Sequence, residues 1–164
     1  RLMKELLSDS WKDIPDPGGP VVMPPHPGEM AVLADAAVDA VRSDPFGILD
    51  GVSRSIPWSR GVTVVLKGSV TIIRRSDGDF AVLDGRCPSL GVAGSGDVLS
   101  GILGARVAGA RAGGGPITEA VCNGVMEHLC RGRLLARHDD SYTAGTLAER
   151  SLSALRSRHG NGVG

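Results

Sequence analysis

Apolar positions follow two rhythms along this chain: short unbroken runs, and longer stretches in which they recur every three or four residues. The runs Val21–Met23 and Val62–Leu66 predict buried strands. Val70–Arg74 and Asp79–Leu83, separated by Arg75 Ser76 Asp77 Gly78, predict an antiparallel hairpin turned by its Asp-Gly pair. Helical spacing begins at once, with Leu2, Met3, Leu6 and Leu7, and resumes after Pro27 with Met30, Leu33, Ala34 and Ala37. It returns in Pro45–Ser55 through Phe46, Leu49 and Val52, in Asp97–Ala110 through Leu99, Ile102, Leu103 and Val107, and in Ile117–Ala136. A last helix is expected from Thr143 or Thr146 to Arg156, with Thr146 and Glu149 at capping-box spacing. Pro- and Gly-rich stretches at Ile14–Pro20, Ile56–Gly61 and Gly113–Pro116 punctuate these elements. Strands alternate with helices, the sign of a layered α/β fold.

The length of 164 residues permits one domain with a real core. Eighteen basic and 18 acidic residues cancel, so no net field favours nucleic acid or an anionic membrane. Aromatic residues make up 3% of the chain, too few for base-stacking platforms. Cys87, Cys122 and Cys130 are odd in number and lack zinc-site spacing. Cys122 and Cys130 on one helix would stand about 12 Å apart, too far for a disulfide, and a reducing, cytoplasmic compartment follows as the expectation. No apolar run approaches the ~20 residues that span a bilayer. The chain opens on Arg1, without an initiator Met and without a cap before its first apolar face, which reads as a start inside a helix.

Three segments carry chemistry. In Val92 Ala93 Gly94 Ser95 Gly96 Asp97, two glycines free the backbone to turn sharply into a helix whose positive end faces an anion. Asp97 repels phosphate, but it suits a base that takes the proton of a hydroxyl meeting a phosphoryl group. Val62–Leu66 delivers Lys67 Gly68 Ser69 Val70 Thr71 at its C-terminal end, where open α/β sheets hold ligands. Pro25 His26 Pro27 Gly28 Glu29 follows the strand at Val21–Met23 and leads into a helix, with Pro27 suited to the first turn.

Taken in order, these segments resemble the ADP-dependent NAD(P)H-hydrate dehydratases of the ribokinase-like superfamily. That family's pattern is a PHPGE turn, a strand ending in VLKG with a nearby Thr, and a Pro and small-residue stretch running into AGSGD, here Pro25–Glu29, Val65–Thr71 and Pro88–Asp97. Tyr142 Thr143 Ala144 Gly145 Thr146 Leu147 is similar to the start of the family's last helix. The resemblance implies a ribokinase-like layered α/β fold with a mainly parallel sheet and a β-hairpin, flanked by helices. Family members are longer, so residues 1–158 are expected to be the C-terminal portion of a single domain truncated at its N-terminus, and 159–164 a flexible tail. The activity implied is repair of NADHX and NADPHX by dehydration, through a phosphorylated intermediate, with ADP or ATP as phosphoryl donor and Mg²⁺. A homo-oligomer when full length and an NAD(P)H-hydrate epimerase as functional partner belong to the same expectation.

Carried over by position, Asp97 is the catalytic base and touches the substrate, as does His26. Nucleotide contacts map to Lys67, Gly68, Ser69, Val70 and Thr71, and to Cys87, Pro88, Ser89, Leu90, Gly91, Val92, Ala93, Gly94, Ser95 and Gly96. Lys67 would offset phosphate charge, Thr71 would donate a hydrogen bond, and Gly94, Ser95 and Gly96 would offer backbone N–H groups. Cys87 stands where Asn is usual in the family and Val92 where Thr is usual, and each change removes a polar side chain. Blander roles compete: Asp97 as a helix cap, Lys67 as a solvated strand end, His26 as a surface residue and Glu29 as an aid to its helix's first turn. His138, Asp139 and Asp140 are adjacent on a polar loop and diverge, so they are read as solvated, and no dedicated metal cage is evident. No role is transferred to His128, which is followed by Leu129 where the family has Gly. A ribokinase-like small-molecule kinase, or an inactive fragment of the dehydratase, are the competing functions.

Overall fold

The computed structural model describes residues 15–56, 58, 61–137 and 142–149, in two compact units, Arg1–Gly85 and Arg86–Gly164. The helix expected in residues 1–7, His138–Asp140, the last helix beyond Glu149 and the tail 159–164 lie outside the described residues.

In the first unit, β1 (Val21–Met23) leads through α1 (Pro27–Leu33), α2 (Val38–Ser43) and α3 (Pro45–Ser55) to β2 (Val62–Leu66), β3 (Val70–Arg74) and β4 (Phe80–Asp84). The sheet order is β1-β2-β3-β4. β1 and β2 are parallel, pairing Val21 with Val62 and Met23 with Val64. β2–β3 and β3–β4 are antiparallel. Among the described strands, then, the mainly parallel character expected of the sheet is carried by β1–β2 alone. Residues 67–69 and 75–79 are far too short for the crossover that a parallel neighbour requires. The hairpin at Asp77-Gly78 forms as expected, with Gly78 at φ 102° and its amide on Arg75 O (3.0 Å).

Met30, Leu49, Val62 and Val64 are fully buried in one cluster that joins the helices to the sheet. Ser53 Oγ, also buried, donates to Val62 O (3.0 Å) and ties α3 to β2. The helix expected to run from Pro27 through Ala37 stops at Leu33. Asp35 adopts a left-handed φ of 48°, and the chain restarts as α2 with Ala37 at its N-cap, exposed, while Val41 takes the buried position. Phe46, at helical spacing with the buried Leu49 and Val52, is itself exposed and meets Phe80 of the edge strand edge-on, ring centres 5.2 Å apart. Beneath that edge, Arg74 is buried and donates to Asp50 (2.9 and 3.3 Å) and to Arg75 O. The Arg74 hydrogen bond, ahead of burial that acts the other way and of the Arg54 charge, lowers the Asp50 pKa.

The second unit contains a short 3₁₀ helix (Pro88–Leu90), α4 (Ser95–Gly113), α5 (Ile117–Ala136) and α6 (Ala144–Glu149). Gly114, at φ 69°, ends α4 with its amide on Ala110 O. Leu99 and Leu103 of α4 are buried, as are Val121, Val125 and Leu129 of α5. Gly124 permits the approach of the two helices, since a Cβ there would lie 2.9 Å from Leu103 Cδ2. Glu127 of α5 accepts from Arg106 of α4 (3.0 and 2.6 Å) and from Arg131. Burial raises the Glu127 pKa, but the two arginines outweigh it and the net shift is downward. Arg131 also donates to Leu147 O and Ala148 O, both 3.3 Å, and so holds α6. Thr143 starts α6, its Oγ1 accepting from Thr146 N (3.3 Å). Thr146 is therefore inside the helix and does not cap it. Among the described residues no helix is long and apolar enough to cross a membrane.

Candidate functional site

The candidate residues fall in two groups, one in each unit. In the first, the parallel pairing of β1 and β2 brings their C-terminal ends side by side, and Lys67 N donates to Pro25 O (2.9 Å). His26 caps α1: its Nδ1 accepts from Glu29 N (3.2 Å), while Glu29 Oε2 accepts from His26 N (2.7 Å). Because Nδ1 accepts, Nε2 carries the ring proton, and it lies 3.4 Å from Glu29 Oε1 with the side chain 57% exposed. Lys67 Nζ stands 3.8 Å from Glu29 Oε2. His26, Glu29 and Lys67 thus form one polar cluster. Glu29 supports its helix's first turn and also partners the lysine.

Gly68, Ser69 and Val70 are exposed at the β2–β3 turn. Thr71, expected to donate to a phosphate, is buried and donates to Gly68 O (3.4 Å), so its hydroxyl shapes the turn instead. Gly85, unmarked in the sequence, closes the turn from behind, its amide on Ser69 O (3.1 Å). A Cβ at Gly85 would lie 2.1 Å from Gly68 O and 2.6 Å from Thr71 Oγ1.

In the second unit the segment before α4 is packed more tightly than the carried-over contacts suggest. Leu90 and Val92 pack against Leu135, Tyr142 and Leu147. Ser89 Oγ donates to Gly132 O (3.3 Å) and meets Cys87 Sγ at 3.1 Å. Burial raises the Tyr142 pKa, partly offset by the nearby Ser89 side chain, and among the described residues the buried Tyr142 hydroxyl has no hydrogen-bond partner. Gly132 is what lets this segment lie on α5, since a Cβ would come within 2.5 Å of Leu90 and 3.1 Å of Cys87 Sγ. The side chains of Ser89, Leu90 and Val92 serve packing, and any nucleotide contact there is left to backbone. Gly91, Ala93 and Gly94 are exposed.

Gly94 turns the chain at φ 85°, ψ −6°. Ser95 N donates to Val92 O (3.2 Å), Asp97 N to Gly94 O (3.0 Å) and Val98 N to Gly94 O (3.1 Å). Of the three amides expected to face an anion, that of Ser95 is therefore already spent. Those of Gly94 and Gly96 have no backbone partner among the described residues, as helix geometry requires of a first turn. Asp97 is exposed on that turn and makes no ion pair among the described residues. It borders a cleft of about 620 Å³ between α4 and α5 that Arg106, Glu127 and Arg131 also line. An amide pair beside an exposed carboxylate can hold an anion and accept a proton next to it.

Sequence reasoning set His128 aside. It is buried on α5, with Nε2 3.0 Å from Ser95 O and 3.2 Å from Ser95 Oγ. The signal was present: His128 falls on the same helical face as Val121, Val125 and Leu135, where a polar side chain needs a partner. Cys87, Cys122 and Cys130 are unbridged. Among the described residues no group of three or more His, Cys, Asp or Glu could hold a metal ion.

A family model described as NAD(P)H-hydrate dehydratase matches residues 5–154. The ADP-dependent (S)-NAD(P)H-hydrate dehydratase of Neisseria meningitidis serogroup B is 34% identical over 136 residues, 83% of this chain and 43% of that protein. The enzyme of the same name from Xanthomonas campestris is 37% identical over 123 residues, 73% of this chain and 39% of its own. Among solved structures, the ADP/ATP-dependent NAD(P)H-hydrate dehydratase from Bacillus subtilis, co-crystallized with ATP/Mg²⁺, superposes with a TM-score of 0.72 at 24% identity. It covers 88% of this chain and 50% of its own, and that likeness shows the ribokinase-like fold. The chain spans less than half the length of the two curated relatives.

Proposed function

The chain belongs to the NAD(P)H-hydrate dehydratase family, and from that premise we propose that it carries the nucleotide-binding portion of an enzyme that dehydrates NADHX and NADPHX. The observation that carries this reading is the head of α4: two amides without a backbone partner among the described residues, on a left-handed glycine turn, with an exposed carboxylate one residue further on. A nucleotide's phosphates suit the amides, and Asp97 suits the hydroxyl to be removed.

The nucleotide, bound with Mg²⁺, supplies the phosphoryl group that converts a poor leaving group, hydroxide, into a good one, phosphate. With no preformed cage among the described residues, Mg²⁺ fits only as an ion held by phosphates and water. Asp97 takes the hydroxyl proton as its oxygen attacks, and departure of phosphate, with loss of a proton from the adjacent ring carbon to solvent, restores the ring double bond. Such base assistance is worth ~10²–10⁴ in rate. Gly94 and Gly96 amides hold charge on the phosphates. In the first unit, the Gly68–Val70 turn offers backbone to the nucleotide, Lys67 offsets its charge, and His26 Nε2 is the half-exposed donor assigned to the hydrated cofactor.

ADP is the assigned donor, in keeping with the names of both curated relatives. Their designation for the S form also makes an epimerase a fitting functional partner, since the other epimer would otherwise accumulate. The unbridged cysteines fit a reducing, cytoplasmic setting.

Incubation of the chain with ADP, Mg²⁺ and NADHX tests the proposal, with return of reduced-nicotinamide absorbance and release of phosphate as the expected result. Phosphorylation of another alcohol, with no regain of absorbance, would instead favour a small-molecule kinase.

A further inference from the structure

We propose that His128 is a positioning residue for the phosphate cradle, aiming the Gly96 amide through its hydrogen bond to the Ser95 carbonyl; the inference rests on the nucleotide reading above. Ser95 O accepts only, so the proton of that 3.0 Å bond belongs to His128 Nε2, which also reaches Ser95 Oγ at 3.2 Å. Both residues are buried, at 6% and 5% exposure, so water does not compete for the bond. Ser95 O is one end of the planar Ser95–Gly96 peptide, whose other end is the Gly96 N–H. In a trans peptide the two point in opposite directions. Holding the carbonyl against α5 therefore turns the Gly96 amide away from α5, and that amide is one of the two at this turn left without a backbone partner among the described residues.

The turn is held from within by the bonds of Ser95 N to Val92 O and of Asp97 N and Val98 N to Gly94 O, and the His128 bond adds a hold from α5. Gly94 and Gly96 flank Ser95 without side chains to restrain them, so the orientation of the Ser95–Gly96 peptide rests on hydrogen bonds. The turn amides matter only if they are held in place before the anion arrives, because ordering them afterwards subtracts from binding. The neighbouring Ser95 amide is already committed to Val92 O, so the histidine fixes the carbonyl side of the same residue.

Titration with ADP·Mg²⁺ of the unaltered chain, His128→Gln and His128→Met tests this. Gln presents an amide N–H near the position of Nε2, whereas Met fills similar volume with no donor. The unaltered chain and His128→Gln are expected to bind alike, and His128→Met about tenfold more weakly, the equivalent of about 1.4 kcal/mol. Equal binding by His128→Met, or equal losses in both variants, overturns the positioning role while leaving the nucleotide reading intact. No ADP binding by the unaltered chain overturns both. Should His128→Met fail to fold, the ¹⁵N shifts of the His128 ring in the unaltered chain decide: a protonated Nε2 is expected, and a bare Nε2 refutes the bond.

Discussion

Replacing Gly85 with Ala isolates the turn at Gly68 from everything else in the first unit. The added methyl would stand 2.1 Å from Gly68 O and 2.6 Å from Thr71 Oγ1, and the nearer atom is backbone, which no rotamer change can move. Relaxing the carbon–oxygen contact to the usual ~3.3 Å needs about 1 Å of backbone displacement. That displacement also stretches the 3.1 Å bond from Gly85 N to Ser69 O. Overpacking of this kind costs about 1–3 kcal/mol. With a urea m-value of about 1–3 kcal/mol/M, the midpoint should fall by roughly 1 M. Gly51→Ala is the control of opposite sign. Gly51 lies inside α3 with nothing within 4 Å of a built Cβ, so alanine there should stabilise by about 0.5–1 kcal/mol. Trp58 packs on the first unit's core and reports its unfolding by fluorescence. A Gly85→Ala midpoint equal to or above that of the unaltered chain would refute the argument that this close approach builds the turn.

Gly94→Ala forces a side chain into φ 85° and brings its Cβ to 3.0 Å from Ala144 Cβ. It should destabilise by about 1–3 kcal/mol and weaken ADP binding in calorimetry, whereas Gly104→Ala, with open space, should do neither. The pKa values of Asp50 and Glu127 are lowered on folding. Their contributions are therefore present above the ordinary values of 3.8 and 4.5 and are lost as pH falls through the lower folded values. Urea midpoints should hold steady from neutral pH to about 5 and drop below 4, and Glu127→Gln should flatten that drop.

The periodic elements were legible because burial follows pattern. α3 and α5 coincide with Pro45–Ser55 and Ile117–Ala136, and β1, β2 and β3 with their apolar runs. The site was legible where a motif is its own geometry, as in the glycine turn before Asp97 or the capping turn at His26. What stayed hidden depends on which partner the folded chain presents, whether three residues away or on another element. Thr71 looks like a donor until its hydroxyl is found on Gly68 O, and Ser95 N–H looks available until Val92 O is seen to hold it. Gly85 and Gly132 carry no local mark, because their meaning lies in the backbone and side chains they admit. His128 was marked by its place on a buried face, but only the fold names Ser95 as its partner.

In the proposed function the head of α4 pairs a phosphate-binding amide turn with Asp97 as the base. Asp97→Asn tests it most directly, with ADP affinity and NADHX turnover measured on the same preparation. An ADP dissociation constant within about twofold of the unaltered chain's is expected, with turnover lower by ~10²–10⁴. Turnover at the unaltered rate would contradict it.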